Sequence, residues 1–219
     1  MKTLVIYCAG GIGREAADLA NRVNDIYRTW NNIIFVDDNL DTPSINNIPV
    51  MRFDSLLKSY SNVSIQIIIT SGEPFVRETL YNKVRKAKFE LINLMHPEFL
   101  KSDYTHFGVG NLVHTGAIIT CNIEIGDNNL INKQAVIGHD VRIGNHCVIS
   151  PHVTIGGSAI VENNVFIGSG ATIKNGVVIG KDSIVGMGAV ITKDIPENMV
   201  VVGNPGRILR ENKGKKVFK

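Results

Sequence analysis

Every sixth residue from Val113 to Ile191 is Val or Ile: Val113, Ile119, Ile125, Ile131, Ile137, Ile143, Ile149, Ile155, Val161, Ile167, Ile173, Ile179, Val185 and Ile191. A second lane, two residues earlier in each unit, is mostly small or β-branched: Ala117, Ile123, Ala135, Val141, Cys147, Val153, Ala159, Val165, Ala171, Val177 and Ala189. Gly often follows the large apolar residue, as at Gly126, Gly138, Gly144, Gly156, Gly168, Gly180 and Gly186. A period of six matches neither a helix nor a half-buried strand. It fits a solenoid of short strands with a corner after each. β-Branched residues suit the strands; Gly, Asn and Asp suit corners that need positive φ. Three hexapeptides make a triangular coil, and the Val/Ile lane points inward to fill the prism. Spacing alone leaves the handedness of the coil open.

Ahead of the repeat the pattern is β/α. Thr3 to Cys8 is a β-prone apolar run. Ala9-Gly10-Gly11-Ile12-Gly13-Arg14-Glu15-Ala16 follows, and Arg14 to Val23 reads as a helix with an apolar face. Strand, glycine turn and helix together give Gly11-x-Gly13-x-x-Ala16 its meaning. Glycines let the backbone approach a phosphate, and a helix N-terminus favours its charge. The alternative is a tight turn that binds nothing. Ile33 to Val36 is a second strand, ending in Asp37-Asp38-Asn39, where dinucleotide folds often hold a ribose hydroxyl. Pro43 to Pro49 is expected to be a loop, with a short apolar piece at Val50-Met51. A helix is expected over Phe53 to Tyr60, a strand over Ile65 to Thr70, a helix from Pro74 to about Lys88, and a strand over Glu90 to Leu94. This is one small parallel sheet with flanking helices, with room for one nucleotide-binding half. The domains expected are a Rossmann-like nucleotide-binding domain over 1–97 and a β-helix over 98–219 with a C-terminal cap. Arg207 to Asn212 is expected to be a short helix over the open end of the last coil, whose free edge needs covering.

A formal charge of +3 is too mild to imply nucleic acid. Arg207, Arg210, Lys213, Lys215, Lys216 and Lys219 read as a solvated basic tail. Cys8, Cys121 and Cys147 are scattered and odd in number, which argues for a reducing compartment. The start is too short and too soon interrupted by glycines for a signal peptide, and no run is long enough to span a membrane. The expected location is cytoplasmic.

Of six histidines, His139 stands out in Ile137-Gly138-His139-Asp140-Val141. It occupies a corner, so its side chain can leave the prism. The coil repeat puts Cys121 and Gly157 on the same corner. Gly157 leaves space beside the imidazole and a backbone N–H within a ligand's reach. Asp140 could orient the ring. A corner His with these neighbours is a candidate general base; the bland alternative is an exposed corner residue. His146 and His152 are expected to be solvated corners. His114 opens the repeat, and His96 and His106 lie at its edge or outside it. A zinc site would need converging histidines, and the six do not repeat at coil multiples; no metal is expected.

The glycine turn with Phe35-Val36-Asp37-Asp38-Asn39, together with the hexapeptide run around Gly138-His139-Asp140, resembles the PglD/NeuD-like bacterial nucleotide-sugar acetyltransferases. The resemblance spans nearly the whole chain, domain order included. It implies a left-handed β-helix, a homotrimer, acetyl-CoA as co-substrate in the groove between adjacent β-helices, and a nucleotide-linked amino sugar held by the N-terminal domain. The catalytic histidine falls on His139 and its acidic partner, commonly Glu, on Asp140, one methylene shorter. The glycine whose N–H faces the thioester carbonyl falls on Gly157. Gly157, Ser169, Lys174, Lys193 and Arg207 are the candidates for acetyl-CoA, with Lys181 a further basic possibility. Gly11, Ile12, Gly13, Arg14, Asp37 and Asp38 are the candidates for the nucleotide sugar. The implied activity is acetylation of a 4-amino-deoxysugar for surface polysaccharide or glycan. O-acetylation of a sialic-acid-type sugar, a non-catalytic sugar-nucleotide scaffold and a nicotinamide-dependent oxidoreductase are the competing readings.

Overall fold

The computed structural model describes residues 2–218; Lys219, the last of the basic tail, lies outside them. The N-terminal sheet contains β1 (Lys2–Tyr7), β2 (Trp30–Val36), β3 (Ser44–Ile45), β4 (Ile48–Met51), β5 (Ile65–Ile69) and β6 (Glu90–Leu91), in the order β3-β4-β2-β1-β5-β6. All neighbours run parallel except β3, which pairs antiparallel with β4. The stretch expected as a loop is therefore a hairpin. Asn46 and Asn47 take φ 50 and 63 at its tip, and successive positive-φ residues match the twist of a two-residue turn.

Helix α1 spans Gly11–Tyr27, α2 Phe53–Ser59 and α3 Pro74–Lys86. α1 starts three residues before the expected Arg14 and runs four beyond Val23. Glycines are poor helix formers, but Gly13 is held by packing and Ala16, Ala17, Leu19 and Ala20 bury a continuous stripe, which outweighs propensity. That stripe packs on Leu94, Leu112, Leu130 and Val148 of the following domain.

Those four residues mark the first face of a parallel β-helix. Its strands are Leu94–Met95, Leu112–Val113, Leu130–Ile131, Val148–Ile149, Phe166–Ile167, Ile184–Val185 and Met199–Val202. Leu94–Met95 pairs with Leu112–Val113 and not with β5, so β-helix pairing begins ahead of residue 98. The second face runs from Leu100–Lys101 to Val190–Ile191 and the third from His106–Phe107 to Val178–Ile179. The helix is left-handed. Both repeat lanes point inward and form a dry core, with Val113, Ile137, Ile149, Ile167 and Val185 fully buried.

The corners explain the polar half of the repeat. Asn122, Asn128, Gln134, Asp140, His146, His152, Ser158 and Asn164 all have φ between 56 and 61, the left-handed region that short polar side chains tolerate best. The glycines after the Val/Ile lane serve a different purpose from the positive φ expected of corner glycines. A Cβ on Gly138 would lie 2.7 Å from Gly157 N, so glycine there lets one coil approach the next.

Residues Arg207–Glu211 form an antiparallel strand on Met199–Val202, not the expected helix. The last parallel strand offers unpaired backbone groups, and pairing them overrides local propensity. The chain then turns back across the domain junction. Asn212 Nδ2 donates to Asp182 O at 2.8 Å and Lys215 Nζ to Asp182 Oδ2 at 2.8 Å.

α3 fastens the two domains through the third-to-first-face corner. The Arg77 side chain is completely buried. Its Nε donates to Asn128 O (2.8 Å), Nη2 to Asn128 Oδ1 (3.0 Å), and Nη1 to Ile69 O (3.0 Å) and Ser71 O (2.9 Å). Burial without a carboxylate partner pushes its pKa down to about 9. One coil on, Asn128 Nδ2 lies 3.0 Å from His146 Nδ1, and Tyr81 packs edge-on against the His146 ring at 5.0 Å. His146 is therefore a buried docking residue, not the solvated corner expected; His152 is exposed.

Candidate active site

His139 projects from the corner between the second and third faces, after Val136–Ile137 and before Arg142–Ile143. Its side chain is 59% exposed. Nδ1 lies 2.7 Å from Asp140 Oδ2, so the shorter acid still reaches the ring. The hydrogen bond from His139, and a second from Asn122 Nδ2 at 3.2 Å, hold the Asp140 carboxyl below its usual range. An ionised Asp140 fixes the proton on Nδ1 and leaves the Nε2 lone pair free. Asp140 sits at φ 60, the left-handed backbone shared by the equivalent corner residues.

One coil on, Gly157 lies beneath the ring. A Cβ there would be 2.6 Å from both His139 Nε2 and Cε1; only glycine leaves room for the imidazole. Among the described residues the Gly157 N–H has no acceptor, and Ser158 N–H donates to His139 O at 2.7 Å. The ring of His139 therefore lies over Gly157, whose backbone N–H is unpaired among the described residues. A base and an oxyanion donor need this arrangement.

The same corner continues through Asn175 to Lys193. Parallel coils stack about 4.8 Å apart, which places Lys193 about 14 Å from His139 along the edge. Lys193 and Arg207 line one cavity of about 390 Å³ at the end of the prism, and Lys174 is exposed beside Asn175. Ser169 and Lys181 are not brought to this edge. Ser169 lies on the first-to-second-face corner, and Lys181 lines a third-face groove with Arg142 and Glu162.

Burial pushes the Cys147 thiol up to about 12, and Cys8 likewise to about 12, with Asp37 adding to the shift. Neither is a thiolate nucleophile, and Cys121 is exposed.

At the glycine turn, the first N–H groups of α1 have no helical acceptor and Gly10 supplies no side-chain cap. Gly11 is exposed, and a Cβ there would meet nothing within 4 Å. Gly13 differs: its Cβ would lie 2.1 Å from Cys8 O, so it is required for the close approach of helix and strand. Arg14 is exposed on the first turn. Asp37 Oδ2 accepts from Ala9 N at 2.9 Å and its Oδ1 from Asn39 N at 2.9 Å. Asp38 accepts from Tyr7 Oη and Lys83 Nζ, both at 2.7 Å, and from Phe53 N at 2.9 Å. Burial alone would raise the Asp38 carboxyl; the bonds from Lys83, Tyr7 and Phe53 outweigh it, and the net is a lowered pKa. Asp37 fastens the glycine turn, and Asp38 ties the start of α2 and Lys83 of α3 to Tyr7 of β1.

Between this turn and the first-to-second-face corner lies a cavity of about 480 Å³. Ile12, Gly72, Asn132, Ser150, Phe166 and Phe218 are among its walls. Asn132 and Ser150 were not singled out from the sequence, although a signal was present. They interrupt the lane that is glycine at Gly126, Gly138, Gly144, Gly156 and Gly168.

Residues 3–84 match the PglD N-terminal domain model. Residues 122–157 and 158–193 match the bacterial transferase hexapeptide model of six repeats. The acetyltransferase domain of PglB from Neisseria gonorrhoeae is 30% identical, covers 95% of this chain and 100% of its own, and superposes with a TM-score of 0.89. The chain belongs to the PglD/NeuD-like hexapeptide-repeat acetyltransferases. The same PglB domain has also been solved with acetyl coenzyme A (29% identity, 95% and 99% coverage, TM-score 0.88). The chain is also similar to PerB from Caulobacter crescentus, solved with CoA and GDP-perosamine (29% identity, 96% and 98% coverage, TM-score 0.87). No curated protein gives a significant match. Among the described residues no group of His, Cys, Asp and Glu has the arrangement of a metal site, and no helix is long and apolar enough to cross a membrane.

Proposed function

We propose that this protein transfers the acetyl group of acetyl-CoA to the 4-amino group of a nucleotide-linked amino-deoxysugar, for surface polysaccharide or glycan. The observation that carries it is the constellation of His139 Nε2, the Asp140-held ring and the free Gly157 N–H. It sits on a fold whose solved relatives hold acetyl coenzyme A, CoA and GDP-perosamine.

The amine lone pair attacks the thioester carbon and the new N–C bond forms. His139 Nε2 takes the amine proton, and Gly157 N–H donates to the oxyanion. The oxyanion collapses, the C–S bond breaks and the CoA thiolate leaves; the proton held by His139 passes to it or to solvent. Lys174, Lys193 and Arg207 line the way along which the CoA phosphates would be met.

The crevice at the glycine turn and the His139 corner are on different edges of the prism, separated by the second face. At about 3.3 Å per residue, six residues span up to about 20 Å, too far for one amine to serve both within a chain. A neighbouring copy closes that gap, which supports a homotrimer with the site shared between subunits. The second face offers Ile118, 39% exposed, with Val136 and Val190 half-buried, as apolar contact surface. Three unpaired cysteines fit a cytoplasmic location. Incubation with acetyl-CoA and a panel of uridine, thymidine and guanosine diphosphate 4-amino sugars tests the activity. One sugar should gain about 42 daltons, an acetyl replacing a proton; no gain with any of them contradicts the proposal.

A further inference from the structure

The last residues of the chain form a built feature, not a loose end. Val217 N donates to Glu73 Oε2 at 2.9 Å and Phe218 N to Glu73 Oε1 at 2.6 Å, so one carboxylate takes both amides. The Phe218 ring stands edge-on to Phe166 at 5.7 Å and stays 57% exposed. Together with Lys215 on Asp182, this straps the tail from the end of the β-helix back to the loop after β5. A phenylalanine pinned by its backbone with its ring left open offers a surface to something else.

Sheet order says what that is. β2 and β5 flank β1 on opposite sides. A diphosphate on the first turn of α1 sits over the end of β1, and the ribose belongs on the β2 side. The other end of the ligand must then extend over the β5 side. There Gly72 would place a Cβ 3.0 Å from Ile12 Cδ1 and 3.7 Å from Phe218 Cε2, and the cavity walled by Phe166, Val217 and Phe218 opens. We propose that the C-terminal strap, held by Glu73, is the wall of the sugar subsite, with Phe218 packing on the apolar face of the deoxysugar. The proposal rests on the nucleotide-sugar reading above. Phe218 and Glu73 are positioning and specificity residues; neither touches the reacting atoms.

The test is calorimetric binding of uridine, thymidine and guanosine diphosphate 4-amino sugars and of the matching bare diphosphates, without acetyl-CoA. Wild-type chain, Phe218→Ala, Glu73→Ala and a chain ending at Lys216 are compared; the last keeps Lys215 on Asp182. The accepted sugar nucleotide should lose about tenfold in affinity in all three variants, the scale of one lost aromatic contact, while the bare diphosphate binds as in wild type. Equal loss for both ligands, or no loss for either, overturns the proposal. Failure of the function itself reads differently: wild type would bind the sugar and show the variant losses without any acetyl gain in the mass spectrum.

Discussion

His139 and His146 lie on the same solenoid, one third-face strand apart, and both occupy corners. His139 is exposed, holds Asp140 and stacks over a glycine. His146 is 8% exposed, bonded to Asn128 and packed against Tyr81; burial pushes its pKa down. They take adjacent positions of their corners: His146 has φ 61, matching Asp140 at φ 60, and His139 lies one residue earlier in its turn. What separates their exposure is the neighbour: α3 covers the His146 corner, and the His139 corner stays open. A period places side chains on a surface; docking decides which of them remain available for chemistry.

Substitution can break that contrast at several levels. The largest effect belongs inside the prism. Ile155→Asp puts a carboxylate where the side chain is 1% exposed, and an unpaired buried charge costs several kcal/mol. The expected result is an insoluble or unfolded β-helix by circular dichroism. A normally melting variant would show the six-residue phase to be wrong.

Next is the fastener on the covered corner. Arg77→Met keeps length but strips four hydrogen bonds from buried acceptors, an expected loss of about 3 kcal/mol in denaturant unfolding.

His114 sharpens the comparison through pH. It is 4% exposed, its Nε2 has no partner, and burial lowers its pKa from 6.5 to about 4. The unfolded chain takes up a proton on this residue below pH 6.5, which the folded chain refuses until about 4. Stability from this group is therefore complete above the unfolded value and falls as pH drops through that window, by up to about 3 kcal/mol. Melting of His114→Gln between pH 7 and 4.5 should show a correspondingly weaker dependence.

The two corner histidines themselves give the smallest stability effects. His146→Ala should cost about 1–2 kcal/mol through lost packing and one unpaired N–H of the Asn128 amide, which keeps its bonds to Arg77. His139→Ala should stay within about 0.5 kcal/mol. Equal costs would mean that docking does not distinguish the corners.

How much of this was legible in the sequence follows the same division. The Val/Ile lane fixes the β-helix because every coil repeats a local rule. The contacts of His139 with Asp140 and Gly157 were legible because they lie one residue or one coil apart. The fastening roles of Asp37 and Asp38, the burial of His146 and the strap at Phe218 depend on partners such as Tyr7, Tyr81 and Glu73, far away in sequence. The terminal Arg207–Glu211 segment has the composition of a short helix, and only the open edge of the last coil makes it a strand. Gly11 and Gly13 look alike as letters; only Cys8 O, which leaves no room for a Cβ on Gly13, separates the structural glycine from the one with open space above it.

The central claim is that the exposed corner of one subunit completes the crevice of another. His139→Ala alone should lower kcat by about 10² to 10⁴, the usual worth of a positioned base. Gly11→Val alone should weaken use of the sugar nucleotide, because a side chain stands where a phosphate must approach the backbone. Co-refolded in equal amounts, the two variants should recover about a quarter of wild-type turnover, the share of interfaces that pair an intact crevice with an intact His139. Turnover no higher than the average of the two separate variants, in mixed trimers verified by mass, would contradict a site shared between subunits.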